Sequence, residues 1–162
     1  MGEESGGTSC GKPYTGTVAK KIPDSPSRSA YLNIVIAWDH LHGDFGKLFR
    51  ENGLTPTVFN AMRILIQGPK EGMRIGEVGD GLIQRVPDIT RLLDRMERDG
   101  FVTRLRNTDD RRAVTVQLTE EGRLKCESMY ASVSKMHSTQ LQHMSDRELT
   151  TLAKLLEKTT EG

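Results

Sequence analysis

Cysteine, aromatic side chains, net charge and long apolar runs are all scarce in this chain of 162 residues, and each scarcity removes a class of protein. Two cysteines, Cys10 and Cys126, make neither a disulfide framework nor a cysteine metal cluster; a reducing, cytoplasmic setting is expected. Aromatics at 5% beside charged residues at 28% fit a helical protein better than a β-sandwich. No apolar run approaches membrane-spanning length and no hydrophobic leader stands near Met1, so neither a transmembrane helix nor a signal peptide is expected. The formal charge of +1 gives no overall field to attract nucleic acid unselectively. Catalytic patterns are lacking too. No Ser, His and Asp set is suggested by order or context, and Gly76-Glu-Val-Gly-Asp-Gly81 is neither a dinucleotide nor a P-loop fingerprint. Cys126 falls on an apolar helical stripe, where a small core residue is expected. His40, His42, His137 and His143 could meet at a metal only across helices, and are read as surface or cleft residues. The chain is expected to be no enzyme and to carry no cofactor or metal.

What the chain does have is concentrated between Arg85 and Gly122. From Arg85 to Arg112 there are eight arginines and no lysine, against six acids. Arginine's planar fork suits bidentate contact with phosphate and guanine, whereas a merely solvated face would accept lysine as well. Ile89, Leu92, Leu93 and Met96 recur at i, i+3, i+4 and i+7, predicting a helix of about four turns with Pro87 in its first turn and Gly100 as its stop. Opposite the apolar stripe stand Pro87, Arg91, Asp94 and Arg98, flanked by Asp88, Thr90 and Arg95 and preceded by Arg85, a chemistry suited to base edges and phosphates. Arg91 is the candidate for base contact, against the plainer reading of a surface pair with Asp94. Thr90, Arg95 and Arg98 are candidates for phosphate or sugar. Asp88 has two readings, acceptor from a cytosine amino group or stabiliser of the helix N-terminus.

Phe101 to Arg106 and Ala113 to Leu118 then predict a β-hairpin around the polar run Asn107 to Arg112. At its tip, Arg111 and Arg112 could enter a narrow minor groove, while Asp109 and Asp110 favour the bend. Thr119 is placed to cap a following helix with Glu120 and Glu121 in its first turn.

Outside this stretch the pattern is helical. Residues 1–26, rich in Gly, Ser, Thr and Pro, predict a flexible tail. Ser27 or Ser29 is expected to cap a first helix reaching Glu51, whose apolar positions, Tyr31 to Phe49, form a stripe too broad for one neighbour. Gly53 breaks the chain, Thr55 and Pro56 restart it, and a core helix runs to Gly68-Pro69. Ile75, Val78 and Leu82 predict a short third helix weakened by glycine. A long helix from Glu120 to about His143 would span roughly 35 Å. Ser145 and Glu148 form a capping box for a last helix bearing Leu149, Leu152, Leu155 and Leu156.

Thr90 to Arg104, followed in register by Asp110, Arg112, Val116, Leu118, Thr119 and Gly122, resembles the recognition helix and wing of the MarR-type winged helix-turn-helix regulators, a likeness reaching from about Tyr31 to Lys158. The resemblance implies a mainly α fold with a small β-hairpin wing: a winged helix-turn-helix lobe over about 54–118 plus dimerisation helices over about 27–51 and 120–160, within one domain from 27 to 162. It implies a homodimer on a pseudo-palindromic site in double-stranded DNA, most often a ligand-released repressor. It makes Arg112 the minor-groove residue, oriented by Asp110. It also places effectors in a crevice beside the first helix, where Trp38, Asp39 and His42 would suit a small aromatic anion; the plainer reading makes Trp38 core. The first helix lacks the cysteine of peroxide-sensing members, and no histidine pair stands at the i, i+4 spacing of zinc sensors. The rival reading is a winged-helix protein-interaction adaptor without specific DNA binding.

Overall fold

A computed structural model describes residues 25–106 and 114–161; the tail expected over 1–26 therefore lies almost wholly outside the described residues, as do Asp110, Arg111 and Arg112 of the wing tip. The elements in order are α1 (Pro26–Glu51), α2 (Pro56–Gln67), β1 (Met73–Arg74), α3 (Ile75–Asp80), α4 (Ile89–Arg98), β2 (Val102–Arg106), β3 (Val114–Leu118), α5 (Glu120–Gln140) and α6 (Asp146–Lys158). Two units divide the chain, one ending at Trp38 and the other starting at Asp39.

In the first unit, the cap of α1 is neither Ser27 nor Ser29 but Ser25, whose Oγ accepts from Arg28 N at 3.2 Å. Proline favours the first helical position, so Pro26 asks for its cap one residue earlier. Tyr31, Leu32, Ile34, Val35, Ile36 and Trp38 are all exposed.

The second unit holds the core. Phe49, Val58, Phe59, Met62, Leu93, Met96, Val116, Cys126 and Met129 are among its buried side chains, each of the larger ones contributing roughly 1.5–3 kcal/mol by leaving water. Three phenylalanines stack within it: Phe45 packs on Phe49 at 5.8 Å between ring centres and Phe49 on Phe59 at 5.1 Å, while Phe59 meets Tyr130 edge-on at 6.0 Å. Gly53 takes a φ of 70°, and Thr55 then caps α2 through Val58 N at 3.2 Å, as the Gly, Thr, Pro run predicts.

The sheet has a strand more than the expected hairpin. Its order is β1-β3-β2, all antiparallel, with Met73 opposite Val116 and Arg104 also opposite Val116 from the other side. A two-residue strand carries no readable alternation, which is why β1 is invisible to periodicity. Being central, β3 leaves none of its side chains fully wet: Val116 is buried, and Gln117, on the opposite face, is partly covered and donates to the Lys70 carbonyl at 2.9 Å. The third helix stops at Asp80 rather than reaching Leu82, because Gly81 caps it; a Cβ on Gly81 would stand 3.2 Å from Ile64 Cδ1. Leu82 is buried beyond the helix end. The long helix stops at Gln140, three residues short of His143, so at 1.5 Å per residue it spans about 31 Å. The capping box of α6 is present, with Ser145 N donating to Glu148 Oε2 at 2.8 Å. No helix among the described residues is long and apolar enough to cross a membrane.

Candidate nucleic-acid interface

The helix at the centre of the candidate site, α4, starts later and is shorter than its periodicity suggests. It covers ten residues, under three turns rather than four, and Pro87 lies outside it. Asp88 is the reason. With φ −143° and ψ 92° it is extended, and its Oδ1 accepts from Arg91 N at 3.0 Å, so an N-cap carboxylate sets the boundary. Of the two readings of Asp88, stabilisation of the helix end is therefore the one its geometry shows. At the other end Gly100 has φ 77°, the left-handed conformation expected of the stop. Leu93 and Met96 are buried, Ile89 and Leu92 are packed against the core, and the opposite flank stays in water.

The Leu118-Thr119-x-x-Gly122 run fastens this helix to α5. Thr119 Oγ1 accepts from Gly122 N at 3.0 Å, capping α5, and donates to the Gly100 carbonyl at 2.7 Å, while Thr119 N donates to the Phe101 carbonyl at 3.0 Å. Gly122 is required by approach rather than by φ: a Cβ there would overlap the Phe101 carbonyl oxygen and stand 2.9 Å from its carbon. The turn leaving α4 and the start of α5 are thus one structure.

Arg85, Pro87, Asp88, Thr90, Arg91, Arg95 and Arg98 are all exposed. The other acids beside them are occupied as well. Asp99 pairs with Arg95 at 3.5 Å, and Asp94 pairs not with Arg91 but with Arg104 Nη1 at 2.6 Å. Glu97 Oε2 lies 3.8 Å from the same nitrogen. Among the described residues Arg85, Arg91 and Arg98 make no ion pair, which removes the plainer reading of Arg91. A flank whose carboxylates are all engaged and whose spare cations are three arginines presents net positive charge locally, although the chain is nearly neutral.

Arg104 is the residue sequence reasoning missed. Val102, two residues earlier on the same face of β2, is buried, so the alternation points Arg104 inward, towards a helix bearing Asp94 and Glu97 one turn apart. That was the available signal.

Trp38, Asp39 and His42 lie on α1, and the core reading of Trp38 fails, since 53% of its surface is exposed. None of the three lines the cleft of about 200 Å³ bordered by Leu65, Ile66, Lys70, Val116, Gln117 and Arg123. Burial pushes the Cys126 thiol above its ordinary pKa, a hydrogen bond with Tyr130 at 4.0 Å opposing the shift in part. Among the described residues no group of three or more His, Cys, Asp or Glu could hold a metal ion.

Comparison with known proteins supplies the context for this geometry. The family model described as the MarR family matches residues 54–114. The HTH-type transcriptional repressor YetL of Bacillus subtilis is 29% identical over 133 residues, 82% of this chain and 80% of that protein. The crystal structure of a MarR transcription factor from Planctomyces limnophilus is 33% identical, with a TM-score of 0.65 over 84% of this chain and 98% of that one. The fold is also that of the S. aureus MepR–DNA complex, at 20% identity and a TM-score of 0.69 over 80% of this chain and 94% of that one.

Proposed function

The chain belongs to the MarR family, and from that premise we propose that this transcription regulator is a ligand-responsive repressor that binds a pseudo-palindromic operator in double-stranded DNA as a homodimer. The observation that carries the DNA reading is the flank of α4, with Arg85, Arg91 and Arg98 unpaired among the described residues and every acid engaged. Arg91, exposed early on the helix, is assigned to a guanine edge in the major groove; Thr90, Arg95 and Arg98 are assigned to phosphate and sugar. Arg111 and Arg112, with Asp110 orienting Arg112, are assigned to the minor groove.

The exposed apolar side chains of α1 and, separately, Leu152, Leu155 and Leu156 of α6 support the homodimer, because a stable monomer rarely leaves such apolar surface in water. Two copies then bring two reading helices to half-sites about 10 bp apart. Trp38, Asp39 and His42 are assigned to a small aromatic or anionic effector. The regulator acts in the cytoplasm.

Fluorescence anisotropy on a pool of random duplexes at two salt concentrations, with sequencing of the bound fraction, tests this reading. Enrichment of a palindrome supports it, and Arg91→Ala should then cost roughly 1–3 kcal/mol and relax the preference at one base position. Binding that is unselective and vanishes at the higher salt would leave only the electrostatic contribution and favour the adaptor.

A further inference from the structure

The flank of α4 carries two carboxylates that a DNA-binding surface should not tolerate, and one side chain reaches across from β2 to engage both. Arg104 Nη1 lies 2.6 Å from Asp94 Oδ1 and 3.8 Å from Glu97 Oε2, and its Nη2 donates to the Thr90 carbonyl at 3.2 Å. Its own backbone N donates to Glu97 Oε1 at 3.3 Å, so Glu97 is held from two directions. The Arg104 side chain is 23% exposed, against 49% for Asp94 and 41% for Glu97, and its Nε is buried with no hydrogen-bond partner. An arginine that leaves a donor unsatisfied to keep its place is committed to the protein, not to an incoming phosphate. The acids it covers remain at the surface. Unmasked, they would face a phosphate backbone from positions interleaved with Arg91, Arg95 and Arg98, with repulsion that water only partly screens.

We propose that Arg104 is a positioning residue that acts through Asp94 and Glu97, holding both and cancelling one of their two negative charges so that the arginines beside them can approach DNA, and that it makes no nucleic-acid contact itself. The inference rests on the DNA-binding reading above. It adds a specific division of labour: Arg91 and its neighbours meet the duplex, and Arg104 offsets half of the charge that would keep it away.

The test uses the whole chain and the duplex that the wild-type protein enriches from a random pool; failure to enrich any sequence is failure of the DNA reading, not of this proposal. Four proteins are compared by anisotropy from low to high salt: wild type, Arg104→Met, Arg104→Lys, and a triple variant carrying Arg104→Met, Asp94→Asn and Glu97→Gln. Masking predicts that Arg104→Met weakens binding about tenfold at low salt, a deficit shrinking to under about threefold near 0.5 M salt, where charges are screened within a few ångströms. It predicts near-wild-type binding for Arg104→Lys, which keeps the charge, and for the triple variant, which has no carboxylate left to mask. If Arg104 held a phosphate, the triple variant would stay weak and its salt slope would fall by about one; if it only braced the fold, the deficit would not depend on salt and the neutral acids would not restore binding. Either result overturns the proposal, as does an Arg104→Met protein that binds like wild type. Should Arg104→Met fail to fold, the triple and lysine variants decide the matter alone.

Discussion

Replacing Gly122 with alanine adds a single carbon, at a point where the structure has no room for it. The added Cβ would overlap the Phe101 carbonyl oxygen, stand 2.9 Å from the carbonyl carbon and 3.0 Å from Leu118 Cδ1, where ordinary carbon contacts are about 3.5–4.0 Å. Two of these three atoms are backbone, so no rotamer change relieves the overlap. The Phe101 carbonyl also accepts from Thr119 N at 3.0 Å, and any retreat lengthens that bond. Overpacking costs typically about 1–3 kcal/mol and a weakened hydrogen bond about 0.5–1.5, offset by up to roughly 1 for alanine's better helix propensity. A net loss of about 2 kcal/mol follows. Gly76→Ala is the control, for Gly76 lies inside α3 with nothing within 4 Å of its would-be Cβ, and should gain about 0.5–1 kcal/mol. Urea unfolding at one fixed protein concentration, with the m-value checked for constancy, measures both. The same sign for the two variants, or a loss below about 0.5 kcal/mol at Gly122, would refute the argument from close approach.

Three other groups give further expected outcomes. Asp88→Ala should lower stability by about 1 kcal/mol in urea unfolding, with Asp88→Asn close to wild type; an equal loss in both would show that charge, not capping geometry, matters there. Cys126, buried and with its thiol pKa raised by desolvation, should resist iodoacetamide in the native protein and react once urea unfolds it, as read by mass spectrometry of its peptide; rapid native labelling would contradict its place in the core. Hydrogen bonds from the Ser145 side chain and backbone hold the Glu148 carboxyl below its ordinary value of 4.5, so the cap of α6 should be intact above that value and lost as pH falls below it through the depressed one. Cα chemical shifts over residues 145–149 should follow that transition, and Ser145→Ala should move it up towards the ordinary range; no movement would sink the assignment.

Local signals were the ones the chain spelled out. Thr55 before Pro56, and Ser145 three residues before Glu148, name their helix starts because a cap acts within one turn of the residues that define it. The buried Leu93 and Met96 were legible for the same reason, since a stripe at helical spacing is written into one segment. Where two local rules competed, the choice was harder: Pro87 suits a first turn and Asp88 suits a cap, and the hydrogen bond to Arg91 N decides for the cap. Ser25 was missed although Pro26 announces it. What sequence could not show was partnership across segments. Strand β1 exists only because β3 lies beside it, and the pairing of Asp94 with Arg104 rather than Arg91 joins residues ten positions apart through the turn at Gly100. The core alternative for Trp38 fails because apolarity says that a side chain will be covered, not that its own chain will cover it.

The carboxylate at the start of α4 also bears on the direction from which nucleic acid would approach under the proposed reading. A helix N-terminus ordinarily offers free N–H groups and a partial positive charge, a ready seat for a phosphate. Here Asp88 has taken that seat, filling one N–H and setting a negative charge at the opening. An end-on approach would bring like charges together, so the proposed DNA reading is best served by a duplex lying along the side of this helix, gripped by long side chains rather than by the peptide backbone.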